Sequence, residues 1–122
     1  MSLTLSMSSS AYAANNGVRG CSTTGAYGDY YYDNYHGPDA TISIKMSLMD
    51  SLADGNSVRV RMLSKDVHGR WVFWPWHTNS SGNGTTKTWQ TTASYRGGLF
   101  DIGIQVARMN PDGTVKNSCT DW

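Results

Sequence analysis

The side chains in this sequence that could perform acid–base or metal chemistry are three histidines and nine acidic residues, all of which are aspartates. His36, His68 and His77 stand in separate stretches, without the short ligand spacings by which one loop or helix binds a metal. Most aspartates lie in turn-like sequence, where the carboxylate usually bonds its own backbone. The chain also has no G-x-S-x-G nucleophile motif. We therefore expect no catalytic residue, no metal site and no cofactor.

Aromatic side chains are the stronger candidates, and for binding rather than catalysis. The chain has five tryptophans and seven tyrosines, more than a core of this size usually requires. Exposed Trp and Tyr suit a sugar ring or a protein partner, because they combine a large apolar area with a polar tip. Our candidates for surface aromatics are Trp74, Trp76 and Tyr31. Strand alternation leaves open whether Trp71 and Phe73, or Trp74 and Trp76, face outward.

The elements that must position these residues are predicted to be strands. Charged residues make up 16% of the chain, glycines number 13 and glutamate is absent, a composition typical of β-proteins. Residues 41–48 and 57–64 alternate apolar and polar side chains with a period of two, and we expect them to be neighbouring strands. Further strands are predicted at 27–35, 70–77, 87–95, 100–108 and 114–119, with a loop at 78–86. We predict an all-β antiparallel sandwich of six or seven short strands.

The N-terminal residues 1–13, MSLTLSMSSSAYA, have the features of an export signal. They are small and apolar, carry no charge and end in an Ala-x-Ala pattern. Since no basic segment precedes them, we interpret them as the remainder of a longer signal peptide, the alternative being a disordered native terminus. We expect a secreted protein with a flexible arm at 14–20 and a single domain at 21–122. No other stretch is long and apolar enough to cross a bilayer.

Cys21 and Cys119 are the two cysteines and bracket almost everything that follows the expected signal. An exported chain meets an oxidising environment, in which two such thiols are expected to pair. The disulfide would close the termini of the domain. Two unpaired core cysteines would be expected only if the protein were cytosolic.

The charge pattern narrows the class of partner. The formal net charge is +1 and there is no basic run, so a nucleic-acid or anionic-membrane surface has little support. The arm is a second candidate contact, because a short segment can order itself on a partner by adding a strand or entering a groove. Its residues are Asn15, Asn16, Gly17, Val18 and Arg19. A frayed terminus is the alternative.

Five segments carry a resemblance to a known family. They are DGNSVRVR at 54–61, GRW at 69–71, TNSSGNGTTKTW at 78–89, GLFDIGIQVAR at 98–108 and NSCTDW at 117–122. In these the chain resembles a family of small secreted actinobacterial β-proteins, and is most similar to the adaptor subunits of the umbrella toxin particles of Streptomyces. The likeness spans Val18 to Trp122. Its motifs are turn and strand patterns without a catalytic signature.

The resemblance implies a non-catalytic β-sandwich that joins a secreted lectin subunit to the helical repeats of a large stalk protein. It also implies that residues 15–19 enter a cleft of the lectin. Two other functions remain open from the residues themselves. One is a free-standing carbohydrate-binding module that uses exposed Trp or Tyr, and the other is a secreted inhibitor of a protease or amylase that presents Arg19 or the Tyr95-Arg96-Gly97 turn.

Overall fold

A computed structural model describes residues 15–122, so the expected signal remnant and Ala14 lie outside the described residues. The described chain forms two antiparallel sheets and contains no helix. Its nine strands are β1 (Gly17–Thr23), β2 (Ala26–Asp33), β3 (Ile42–Asp50), β4 (Val58–Lys65), β5 (Trp71–Phe73), β6 (His77–Asn79), β7 (Thr86–Ala93), β8 (Asp101–Met109) and β9 (Val115–Asp121). Sheet A has the order β1-β2-β3-β7, and sheet B has the order β5-β4-β8-β9, with β6 also paired with β4. The predicted all-β antiparallel fold is confirmed, with more strands than the six or seven expected.

The core lies between the two sheets and is built from the alternating strands. The four apolar residues of β3 that were predicted to share one face are buried, while Ser43 and Lys45 of the other face are exposed. Strands β4 and β8 contribute the facing apolar layer from sheet B. The largest fully buried side chains are Tyr30, Ile42, Met46, Leu48, Val58, Val60, Leu63, Leu99, Ile104, Val106 and Met109, together with the polar Asn79.

Strands β3 and β4 are not hydrogen-bonded neighbours, so that prediction was wrong. β3 pairs with β2 and β7 in sheet A, whereas β4 pairs with β5, β6 and β8 in sheet B. Residues 51–57 therefore cross from one sheet to the other. Alternation specifies a buried face for each strand but not the strand beside it, because either arrangement buries the same side chains.

The aromatic segment predicted as one strand is two short strands with an extra residue between them. Leu63 of β4 lies opposite Phe73, and Val60 lies opposite His77, so the register shifts by one residue. Two residues, Pro75 and Trp76, thus face the single Arg61, as in a β-bulge. Proline cannot donate a ladder hydrogen bond, which suits it to such a break at a sheet edge.

The expected flexible arm is instead part of the sandwich over most of its length. Residues 17–20 belong to β1, which pairs with β2 from Gly17↔Tyr32 to Thr23↔Ala26. A Cβ atom on Gly17 would lie 2.8 Å from Cζ of Tyr32, so any larger residue here would have to displace the tip of that side chain. Because the segment has few apolar residues, its sequence shows no strand period. The neighbouring strand supplies the order, and the domain begins before residue 21.

The Cys21–Cys119 disulfide is confirmed and connects the two sheets at their edges. It joins β1, the edge of sheet A, to β9, the edge of sheet B. Gly20 N donates to the Asp121 carboxylate of β9 at 3.0 Å, and Arg19 Nε donates to the Ile102 carbonyl of β8 at 3.0 Å, so β1 is also hydrogen-bonded to sheet B. The sandwich is therefore closed on this side.

Loss of the disulfide should destabilise the domain strongly. The bridge spans a sequence separation of 98 residues, and closing a loop of that length restricts the unfolded chain by an amount equivalent to about 4 kcal/mol. We expect the Cys21→Ser/Cys119→Ser variant to lose roughly that free energy of unfolding in urea titrations. Reductant should lower the stability of the wild type but not of the variant. An unchanged urea midpoint in the variant would contradict this assignment.

Candidate binding surface

The outer face of sheet B presents a continuous group of aromatic and cationic side chains. Trp71 and Phe73 of β5 are 47% and 55% exposed. They lie opposite Lys65 and Leu63 of β4, so all four project to the outside of the sheet. Leu63 is nevertheless fully buried, because the surrounding side chains cover it. We call this group the aromatic–cation face, and it consists of Arg61, Lys65, Trp71, Phe73, Trp76 and Trp122.

The rings and cations of this face contact one another in a row. The ring centroids of Trp71 lie 5.0 Å from Trp122 and 6.1 Å from Phe73. The Arg61 guanidinium lies between two rings, with Cζ 4.5 Å from the Phe73 centroid and 4.0 Å from that of Trp76. Lys65 Nζ is 4.4 Å from the Trp122 centroid. These are cation–π distances, which order the long side chains before any partner binds.

The neighbouring strand β8 supports both ends of the row. A Cβ atom on Gly103 would lie 2.7 Å from Cε3 of Trp122, so glycine is needed for that indole to lie against the sheet. Arg61 Nε donates to Gln105 Oε1 at 2.8 Å. Burial lowers the pKa of Arg61, yet an arginine remains charged at neutral pH because its ordinary pKa is so high.

Asp66 holds the turn that leads from β4 into the exposed tryptophan. Its carboxylate accepts hydrogen bonds from the backbone NH groups of His68, at 2.8 Å, and Arg70, at 3.0 Å, and also from Arg70 Nε. Desolvation alone would raise the pKa of Asp66, but these donors and the Arg70 charge outweigh it and lower the pKa. Trp71 follows Arg70 directly in the chain. The hydrogen bonds to the Asp66 carboxylate therefore also fix the position at which the Trp71 side chain leaves the backbone.

The predicted surface aromatics divide between the two sides of the sheets. Trp74 is only partly exposed, packs against the core and donates from Nε1 to Ser64 Oγ at 2.9 Å. Trp76 lies on the outer face beside Arg61. The sequence left open whether Trp71 and Phe73 face outward, and Trp122 was not among the candidates. The bulge places Trp76 on the opposite side from Trp74, so strict alternation does not apply to this segment.

A second exposed surface lies on the outer face of sheet A. Val18 and Tyr31 are paired across β1 and β2 and are 61% and 45% exposed. Tyr31 lines two shallow cavities, of about 440 and 260 Å³, whose walls also include Lys45. We call this the Val18–Tyr31 surface. Two of the predicted arm residues, Asn16 and Val18, are exposed, and the other three are partly buried.

Arg19, by contrast, is already engaged within the molecule. Its Nε donates to the Ile102 carbonyl, and its Cζ lies 5.2 Å from the Tyr32 ring centroid. It helps to join β1 to β8 and is not free to enter a partner's groove in this arrangement. The Tyr95-Arg96-Gly97 turn is exposed at Tyr95 and Arg96.

Within residues 15–122, no three His, Cys, Asp or Glu side chains come together as a possible metal site. His77 packs against Trp89, with ring centroids 5.1 Å apart, and burial lowers its pKa. The same part of the chain contains no helix long and apolar enough to cross a membrane.

The fold and these surfaces define an antiparallel β-sandwich closed by one disulfide, with an exposed aromatic and cationic face. Comparison with family models, with curated proteins and with solved structures finds no match for this chain.

Acid should weaken the turn beneath Trp71. Because the folded pKa of Asp66 is below its unfolded value, its contribution is fully present above the unfolded pKa of about 3.9. It is lost as the pH falls through the lower folded pKa. We expect Asp66→Asn to be less stable than the wild type at pH 7, and to lose less stability on acidification.

This effect is measured by urea unfolding between pH 2 and pH 7, with tryptophan fluorescence as the signal from which each midpoint is determined. Asp39→Asn, at an exposed aspartate, is the matched control. Parallel stability curves for Asp66→Asn and the wild type would show that the Asp66 carboxylate does not support the turn through its charge.

Proposed function

We propose that this chain is a non-catalytic secreted adaptor that joins a lectin subunit to the repeat stalk of a large antibacterial toxin particle. The observation that carries the proposal is the pair of exposed surfaces on opposite sides of one sandwich. The Val18–Tyr31 surface belongs to sheet A and the aromatic–cation face to sheet B. An adaptor must hold two partners at once, and two outward faces allow this without steric conflict.

The lectin contact is assigned to the Val18–Tyr31 surface. The resemblance gives this contact to residues 15–19, and Val18 is their most exposed large apolar side chain. Tyr31 lies directly beside it, with the two shallow cavities alongside. The lectin would thus meet the surface of a strand held in place by β2 and the disulfide, rather than a flexible segment. A rigid contact loses less conformational entropy on binding.

The stalk contact is assigned to the aromatic–cation face. Trp and Arg are the residues that most often dominate the free energy of protein interfaces. Here Arg61 is already held between Phe73 and Trp76, so little side-chain freedom remains to be lost when a partner binds. Apolar partner side chains could cover Trp71 and Phe73 while acidic groups approach Arg61.

A carbohydrate-binding module is the second candidate, and one observation favours it. Trp71 and Phe73 expose about half of their surface next to the hydrogen-bonding side chains of Arg61 and Gln105. A sugar ring could stack on such a platform. In that function the same face would bind a glycan, and the Val18–Tyr31 surface would have no required partner.

Affinity purification from the culture medium of the bacterium that carries this gene tests the adaptor function. We expect the tagged protein to bring down a lectin and a large repeat-containing protein, identified by mass spectrometry. Trp71→Ala should reduce the recovered amount of the repeat protein by at least about tenfold and leave the recovered amount of the lectin unchanged. Val18→Asp should have the reverse effect. Phe100→Ala, at an aromatic side chain that is 49% exposed outside both surfaces, should keep both.

Recovery of the free chain alone under gentle conditions would count against the adaptor function. If the same protein then bound a glycan array, and Trp71→Ala abolished that binding, the carbohydrate-binding alternative would replace it. A blank array would remove the alternative.

A further inference from the structure

Strand β7 is an edge strand whose outward backbone groups are open. Within the described residues it pairs with β3 alone, from Thr86↔Met49 to Ala93↔Ile42. Asp50 N donates to the Thr85 carbonyl, and an antiparallel ladder alternates between residues that face the neighbour and residues that face away. The backbone NH and C=O groups that point away from sheet A are therefore those of Thr86, Thr88, Gln90 and Thr92.

The other described sheet edges are covered or interrupted. β1 and β9 face each other and are joined by the disulfide. The edge formed by β5 and β6 is broken by the bulge at Pro75 and Trp76. In contrast, β7 runs for eight residues, TKTWQTTA, with no proline or glycine. Proteins normally protect an exposed edge by such interruptions, so the continuity of β7 leaves it open to an added strand.

An apolar cavity of about 270 Å³ opens beside this edge, between the two sheets. It is slightly smaller than the cavities of about 300–1,000 Å³ that hold drug-sized ligands, which suits it to one large side chain. Its lining carries no formal charge, since burial lowers the pKa of His77 and keeps that ring neutral at pH 7. The lining residues are Ile44, Met46, Met62, Trp74, Pro75, His77, Thr91, Thr92 and Ala93.

We propose that β7 binds an extended segment of a partner protein as an added strand, with an apolar side chain of that segment in this cavity. A residue opposite Thr91 projects to the same side of the sheet as Thr91 does, which is the side of the cavity. Main-chain hydrogen bonds along the edge then provide affinity, and the cavity provides specificity. The site shares no residue with the aromatic–cation face, whereas Thr91 and Thr92 also line the larger cavity beside Tyr31. The inference does not depend on the adaptor function.

The single charge on β7 indicates a further feature of the partner segment. Lys87 is its one charged residue, and it projects to the same side as Thr91 because the two are four residues apart in the strand. An acidic residue four positions from the apolar anchor would therefore lie opposite Lys87, in either strand direction. The segment is expected to alternate, with an apolar anchor and an acidic residue on one side and small polar residues on the other.

Selection of a phage-displayed library of random ten-residue peptides on the oxidised wild-type protein tests the proposal. We expect enriched peptides to share the apolar anchor and the acidic residue at a spacing of four. Isothermal titration of a synthetic selected peptide should show affinity reduced at least about tenfold by Gln90→Pro, which removes one outward NH. Gln90→Ala, which retains that NH, should bind the peptide with an affinity within about twofold of the wild type. Lys87→Glu should lower the affinity for the same peptide.

Methylation of alternate backbone amides of the peptide provides a measurement that does not depend on the folding of any variant. Methylation of the peptide amides that face β7 should abolish binding to the wild type, whereas methylation of the alternate amides, which face away, should leave binding unchanged. Failure to enrich peptides would overturn the proposal, as would binding lost in Trp71→Ala but kept in Gln90→Pro. If the free chain dimerised and Gln90→Pro abolished the dimer, the β7 edge would be assigned to a second copy of the chain, and the proposal would also be overturned. These outcomes are separate from those of the adaptor test, since Trp71→Ala and Val18→Asp leave β7 intact.

Discussion

The contact between β1 and β9 is the constraint on which the rest of this structure depends. Apolar inner faces hold two sheets together without fixing one edge against the other, because hydrophobic burial has no direction. Here the Cys21–Cys119 disulfide and the hydrogen bond from Gly20 N to Asp121 fix that edge. On the opposite side, β7 and the bulged segment of sheet B flank the apolar cavity.

The same constraint divides the aromatic residues between two tasks. Trp74 and Trp89 pack against the core from the open side, where there is no disulfide to close the gap. Trp71 and Trp122 lie outside sheet B and contact each other. Trp122 follows directly after β9, so the strand that carries the bridge also places the end of the aromatic–cation face. Stability and the candidate binding surface therefore share one element.

Much of the fold could be predicted from the sequence because a half-buried strand has a regular period. The buried faces of β3 and β4 and the pairing of the two cysteines were predicted correctly. The neighbour relation of β3 and β4 was not, since alternation carries no information about which strands pair. Residues 17–20 were expected to be flexible because the segment is short, Gly-rich and without a periodic pattern, but backbone pairing with β2 requires no such pattern.

The candidate site was less predictable, and the physical reason lies in single residues. The sequence determined by itself that the chain is a β-protein rich in aromatics, with one possible disulfide, because these follow from residue types and local periodicity. Only the tertiary structure decided which rings are exposed. One extra residue near Pro75 places Trp76 beside Arg61 rather than in the core, and Gly103 allows Trp122 to lie against the sheet. Both effects depend on contacts between residues far apart in the chain.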